Sequence, residues 1–167
     1  MKEDWYRAIE FVLKEEGGYT LDPNDHGGET NFGISKTAYP TEDIKNMTRE
    51  RAMEIYKRDY WNVCRCDEIP SPLAIAVFDS AVNTGTHGTI LMLQRALMVE
   101  AIDGIFGPKT MEALLKSNGI SVRRFMAERM MRYVRIVSHD PSQDVFTANW
   151  SHRLMRCAEL VFSEGVA

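Results

Sequence analysis

The sequence lacks the long hydrophobic run that a membrane-spanning helix needs. No segment approaches the roughly 20 consecutive apolar residues of such a span, although 44% of all residues are hydrophobic. The opening MKEDWYRAIE is acidic and has no apolar core, unlike a secretory signal. We therefore expect no membrane span and synthesis in the cytoplasm, with any action elsewhere depending on a separate release or export route.

Cysteine and histidine are scarce, with three and four residues. An odd number of cysteines gives no disulfide framework. Cys64 and Cys66 are too close together for the usual CxxC pair of a zinc site, and the histidines are scattered. We therefore expect reduced, partly buried thiols, no metal site and no cofactor.

The sequence also has no excess of positive charge. It contains 20 Lys and Arg residues against 24 Asp and Glu residues, a net charge of −4. Binding to nucleic acid draws on clustered Lys and Arg, so we do not expect it as a partner. Basic residues do recur between Arg123 and Arg135, but Met and Phe interrupt them in a helical pattern, which we interpret as a solvated helix face.

Helical periodicity, by contrast, is present along most of the chain. Apolar residues recur every three or four positions in residues 4–16, where Gly17 and Gly18 predict the helix end. Thr48 is a predicted cap of a second helix, and a third, apolar nearly all round, begins at Ser71 or Pro72. Further helices are predicted at 88–98, 109–116, 120–137 and 150–162. The sequence thus predicts one mostly α domain of about seven or eight helices, with a small irregular or β-hairpin loop after the first.

That loop, EEGGYTLDPNDHGGETNFGIS at 15–35, concentrates glycines and carboxylates. Glu16 lies at the end of the first helix, where the helix dipole and apolar neighbours favour a protonated acid. Cleavage of a glycosidic bond needs such a proton donor and a second, ionised carboxylate. Asp22 and Asp25 suit the second role, and Thr30 can help to hold a water molecule. The calcium-loop pattern is absent, whereas composition alone leaves an ordinary solvated turn as the alternative.

The same residues resemble a known family. EGGYTLDPNDHGGETNFGIS is similar to the signature E-G-G-Y-x-x-D-P-x-D-x-G-G-x-T-x-x-G-I of the glycoside hydrolase family 108 muramidases, peptidoglycan-cleaving enzymes found as phage endolysins and bacterial secretion lysozymes. DYWNVCRCDEIPSPLAIAVFDSAVNTG continues the likeness. LQRALMVEAIDGIFGPKTMEALL and FTANWSHRL resemble the peptidoglycan-binding C-terminal half that accompanies it. The resemblance covers about residues 5–156.

The resemblance implies a lysozyme-like fold, with a catalytic part at about 1–87 and a peptidoglycan-binding-like part at about 88–167. It implies hydrolysis of the β-1,4 bond between N-acetylmuramic acid and N-acetylglucosamine in bacterial peptidoglycan. Glu16 falls on the family's catalytic acid. The spacing of related phage lysozymes assigns Asp25 and Thr30 to the attacking water, with Asp22 left open as the second carboxylate.

Other residues are predicted around this site. Asp79, within the apolar third helix, is expected to form a structural hydrogen bond to a loop amide. Asn149 stands where the family pattern has glycine before tryptophan. The residues expected to contact the substrate are Tyr19, Asp22, Asn83 and Trp150.

The interpretation favoured by the sequence is a monomeric phage endolysin that reaches the wall through a holin pore, with a dedicated bacterial export route left open. The main alternative is a non-catalytic cell-wall-binding protein of the same fold. Cleavage of wall amide bonds has less support, since neither zinc ligands nor a Cys–His pair stand out.

Overall fold

Helices dominate the computed structural model, which describes residues 2–21, 28–117 and 121–163. The described residues form seven α-helices, which confirms the predicted mostly α fold. A π-helical turn at Lys57–Trp61 continues the second helix, and short 3-10 turns lie at Cys66–Glu68 and Pro141–Phe146. The helices are α1 Lys2–Glu16, α2 Arg49–Tyr56, α3 Leu73–Thr84, α4 Thr86–Ala96, α5 Pro108–Lys116, α6 Ser121–His139 and α7 Thr147–Phe162.

Helix ends follow local signals in the sequence. The Thr48 side chain accepts a hydrogen bond from the Arg51 amide at 3.2 Å, as a cap at the start of α2 does. Pro108 begins α5, where its missing amide hydrogen costs nothing. Gly85, with φ +83°, separates α3 from α4, so that α4 begins two residues before its predicted start. None of the helices in the described segments is long and apolar enough to cross a membrane.

The predicted loop after α1 contains a small antiparallel sheet. Its strands are β1 Thr20–Leu21, β2 Glu29–Asn31 and β3 Ile34–Ser35, in the order β1-β2-β3. Asn31 pairs with Ile34, so only Phe32 and Gly33 form the connecting turn. Their φ angles are 51° and 76°, and two positive values are the mark of a type I′ hairpin turn. The β-hairpin alternative of the prediction is therefore the one that forms.

Helix α3 lies at the centre of the core. Ile75, Val77 and Phe78 on it are completely buried, and α1, α4, α6 and α7 all pack against it. Phe78 meets Trp5 of α1 and Trp61 edge-on, with each pair of ring centroids 5.5 Å apart. Because its neighbours come from both ends of the chain, α3 brings the end of α1 close to α7.

The three cysteines lie in this core as buried free thiols. Burial raises the pKa of Cys64 to about 12, and it raises that of Cys66 and Cys157 as well. A thiol reacts through its thiolate, so we expect almost no labelling of the folded protein by an aromatic disulfide reagent at pH 8. Unfolding in denaturant should release all three thiols. Rapid labelling of one equivalent before unfolding would contradict this burial.

Candidate active site

Glu16 is the last residue of α1, and its side chain lies between α7 and the hairpin turn. Its side chain is 21% exposed, so it is neither free in solvent nor sealed in the core. Its Oε1 accepts a hydrogen bond from Nη1 of Arg153 in α7 at 2.6 Å. The prediction for Glu16 considered the helix dipole and apolar neighbours and did not include this guanidinium.

Arg153 is one member of a chain of buried polar contacts. Its Nε donates to Oδ1 of Asp79 at 2.8 Å, and Oδ2 of Asp79 accepts from Nη1 of Arg129 at 2.6 Å. Arg129 Nε donates to the Tyr133 hydroxyl at 2.8 Å, which in turn donates to Asn83 Oδ1 at 2.9 Å. We call this set the buried network: Glu16, Arg153, Asp79, Arg129, Tyr133 and Asn83.

The buried network contains two acidic and two basic side chains. Its central pair, Asp79 and Arg129, is 1% and 0% exposed. Burial acts to lower the pKa of Arg153, but Asp79 and then Glu16 outweigh it and the net effect raises that pKa. The predicted hydrogen bond from Asp79 to a loop amide is wrong. Its partners are arginines, because α6 and α7 both pack on α3 and bring a cation to each of its oxygens.

The hairpin turn closes the other side of Glu16. A Cβ atom placed on Gly33 would lie 2.6 Å from Glu16 Oε2 and 2.7 Å from the Tyr56 hydroxyl oxygen, so only glycine fits there. That hydroxyl donates to the Phe32 carbonyl at 2.7 Å and ties the turn to the end of α2. Burial, and then the nearby Glu16, raise the pKa of Tyr56. Glu16 is therefore held between Arg153 and the turn.

The fit at Gly33 can be tested by adding a methyl group. We expect Gly33→Ala to lower the free energy of unfolding by about 2–4 kcal/mol, since a positive φ and a crowded Cβ both oppose it. Gly28, in the same sheet region, has φ +68°, but a Cβ atom added there would meet no heavy atom of the described residues within 4 Å. Gly28→Ala should therefore lower the free energy of unfolding only by the cost of a positive φ for alanine, about 1–2 kcal/mol. Equal losses in urea unfolding would show that Gly33 is not pressed against Glu16.

A pocket of about 340 Å³ lies beside Arg153. Asn83 and Trp150 line it, so two of the predicted substrate contacts meet there. The Trp150 ring stacks with the Tyr133 ring, with the centroids 5.2 Å apart, and with the Phe146 ring, with the centroids 5.8 Å apart. Asn149, the departure from the family pattern, also faces this space. We call it the Trp150 pocket, and its lining is Glu15, Asn83, Asn149, Trp150, His152, Arg153 and Arg156.

Other predicted residues are not brought to Glu16 by a described contact. The Tyr19 side chain is 42% exposed and its hydroxyl donates to Glu29 Oε1 at 3.0 Å. Thr30 lies on β2 opposite Thr20 of β1. Within the described part of the chain, no hydrogen bond links Tyr19 or Thr30 to Glu16. Two further predictions lie outside the described residues, namely Asp22 and Asp25.

The sequence analysis did not predict the two arginines of the buried network, and its interpretation of residues 123–135 as a solvated helix face is wrong for Arg129, whose side chain is fully buried. One signal for them was available, because Asp79 in an apolar helix demanded a charged or polar partner. Arg129 and Tyr133 also stand four residues apart on the apolar side of α6, where an arginine has to be paired. Among the residues that the structure describes, no three His, Cys, Asp or Glu side chains gather as a metal site would require.

Comparison with known proteins gives two adjoining family matches. The family model described as "Glycosyl hydrolase 108" matches residues 9–85, and the one described as "Predicted Peptidoglycan domain" matches residues 88–155. Among curated proteins, none is similar enough to count as a match. A solved structure described as "Structure of Brucella abortus SagA" is similar over 98% of this chain and 96% of that one, with 27% sequence identity and a TM-score of 0.81.

Proposed function

We propose that this peptidoglycan hydrolase, whose residues 9–85 match the glycosyl hydrolase 108 family model and whose residues 88–155 match a peptidoglycan domain model, cleaves the β-1,4 bond between N-acetylmuramic acid and N-acetylglucosamine. The observation that carries the proposal is the placement of Glu16. A partly exposed carboxyl, fixed on one side by Arg153 and on the other by the Gly33 turn, has the position that a proton donor needs.

The proposed reaction uses Glu16 as the general acid. Its protonated carboxyl gives the proton to the glycosidic oxygen as the bond between that oxygen and the anomeric carbon breaks. Water adds to the anomeric carbon and loses a proton, so each event creates one new reducing end. Arg153 remains a hydrogen-bond donor to the carboxylate that Glu16 becomes after transfer.

We assign the role of orienting the attacking water to residues in and next to the hairpin sheet. We assign its orientation to Asp25 and Thr30, with Asp22 as the other candidate for the second carboxylate. Support for Thr30 comes from its position on β2, the strand that leads into the turn against Glu16. A second carboxylate close to the anomeric carbon would stabilise the positive charge that develops there.

Substrate contacts are proposed on both sides of Glu16. The Trp150 pocket offers a carboxamide at Asn83, which suits an N-acetyl group, and apolar aromatic surface at Trp150, which suits the carbon atoms of a sugar ring. The exposed Tyr19 side chain lies at the start of the hairpin sheet and is assigned to the opposite wall of the cleft. This arrangement would let the glycan contact both family-matched regions at once.

The bond can be identified by digestion of purified sacculi followed by mass spectrometry of the products. The proposal predicts fragments with N-acetylmuramic acid at the new reducing end. Reducing ends on N-acetylglucosamine would move the cleavage to the other glycosidic bond. Release of intact peptides from an uncut glycan would show amide cleavage instead.

The biological role that we propose is that of a phage endolysin, made in the host cytoplasm and passed to the wall through a holin-type pore. Expression of the protein alone inside a susceptible bacterium should leave the cells intact, and co-expression of a pore-forming holin should lyse them. Lysis without the pore would point to export by another route.

A further inference from the structure

A second pocket, of about 430 Å³, lies between α4 and α6 and is lined by cationic side chains. Arg95 enters it from α4, while Arg132 and Arg135 enter it from α6. Leu91 and Ile136 supply apolar surface. We call it the arginine pocket, and its lining is Leu91, Arg95, Arg132, Arg135, Ile136, His139, Asp140 and Gln143.

The positive charge of the arginine pocket is not matched by nearby acids. Asp140 is its one acidic lining residue, and that carboxylate already accepts from the Ser142 amide, the Ser142 hydroxyl and Gln143. Arg135 has a long contact of 3.4 Å with Glu128. In the described segments, no carboxylate forms an ion pair with Arg95 or Arg132. The pocket is thus locally cationic in a chain whose net charge is −4.

Arg132 is fixed in place before any ligand arrives. Its guanidinium packs against the backbone of α4, where a Cβ atom on Gly88 would lie 3.2 Å from Arg132 Cζ. Its Nε is buried and has no hydrogen-bond acceptor among the described residues. An arginine already held in position loses little side-chain entropy when it binds an anion.

We propose that the arginine pocket binds a free carboxylate of the peptide part of peptidoglycan. Arginine forms paired hydrogen bonds with carboxylates, and Leu91 and Ile136 suit the aliphatic side chains beside such a group. The pocket also lies entirely within residues 88–155, the region matched as a peptidoglycan domain. This inference rests on the proposed function, since it names where the peptide of the same substrate would bind.

The arginine pocket and the buried network include consecutive residues of α6. Arg132 lines the pocket and Tyr133 belongs to the buried network, and consecutive helical residues point about 100° apart. A peptide of about five residues extends to at most about 17 Å. A glycan bound beside Glu16 could therefore place its attached peptide around α6.

The test measures binding to intact sacculi by co-sedimentation, in a Glu16→Gln background that leaves the wall uncut. The pocket variant carries Arg95→Glu and Arg135→Glu, both on exposed side chains. Its control carries Arg123→Glu and Arg124→Glu, which change the net charge equally and lie on exposed sites of α6 outside the pocket. We expect the pocket variant to weaken binding about tenfold and the control to weaken it less than about twofold. Equal weakening by both would overturn the proposal.

Two further preparations of cell wall distinguish whether the arginine pocket binds a peptide carboxylate or a phosphate group. On glycan strands freed of their peptides by an amidase, the pocket variant should bind as well as its parent. On sacculi stripped of phosphodiester polymers, its defect should persist, and loss of the defect there would assign the pocket to phosphate instead. This experiment measures binding without hydrolysis, so a negative result refutes only the arginine pocket as a binding site. Cleavage of an unexpected bond, found in the digestion experiment, would refute only the proposed function.

Discussion

Replacing Glu16 with glutamine is expected to lower the release of reducing ends from purified sacculi by about 10³-fold, since general-acid catalysis contributes about that factor. Glutamine has the same shape, and its carbonyl oxygen can still accept from Arg153. It cannot donate a proton to a glycosidic oxygen. The variant should therefore keep its fold and its affinity for the wall while losing turnover.

Glu10→Gln provides the matched control. Glu10 lies on the same helix and is also paired with an arginine, Arg49, but its side chain is mostly exposed. Its loss should change turnover by less than about twofold, as expected for a surface ion pair. Full activity in Glu16→Gln, measured by the same reducing-end assay, would refute the assignment of the acid and favour a wall-binding role for this site.

Asp79→Asn is expected to have the largest effect on stability. Asp79 lies between Arg129 and Arg153, and removal of its charge leaves both guanidinium groups partly unpaired in the core. Breaking a buried ion pair in this way costs about 3–5 kcal/mol. The free energy of unfolding should fall by about that amount in urea, with the slope of the transition unchanged.

An exposed ion pair provides the control for the Asp79→Asn measurement. Glu112 and Lys116 on α5 form an ion pair at 2.6 Å with both side chains well exposed. Glu112→Gln should lower the free energy of unfolding by less than about 1 kcal/mol. If Asp79→Asn were no more costly than Glu112→Gln, the charges of the buried network would not be holding α3, α6 and α7 together.

The helices could be predicted because their signals are local. The spacing of apolar residues, the Thr48 cap and the glycines at 17 and 85 act within a few residues of the helix ends that they specify. The hairpin was harder to predict. Its turn places Phe32 at a positive φ, where asparagine or glycine would have been the usual signal.

The arrangement of the candidate site could be predicted only in part. Glu16, Asn83 and Trp150 were named, and the structure links the first two through the buried network and places the third in the pocket beside Arg153. The contact between Glu16 and Arg153 joins residues 137 positions apart, so no local pattern could give it. An acid at position 79 of an apolar helix indicated that a charged or polar partner must pack against it. Which helix supplies that partner depends on how the helices pack against α3, which the local sequence does not specify.

The buried network joins side chains from both of the regions that match family models. Glu16, Asp79 and Asn83 lie in the first region. Their partners Arg129, Tyr133 and Arg153 lie in the second. The side chain that we assign as the acid is therefore positioned by residues of the C-terminal region, which contributes to the proposed catalytic site as well as to any wall contact.

The most direct measurement is a crystal structure of the Glu16→Gln variant with a bound fragment of wall glycan. Our account predicts that the carboxamide at position 16 lies within about 3.2 Å of the oxygen that joins N-acetylmuramic acid to N-acetylglucosamine, with the sugar rings against Asn83 and Trp150. A glycan bound in another groove, with position 16 out of reach of every glycosidic oxygen, would contradict it.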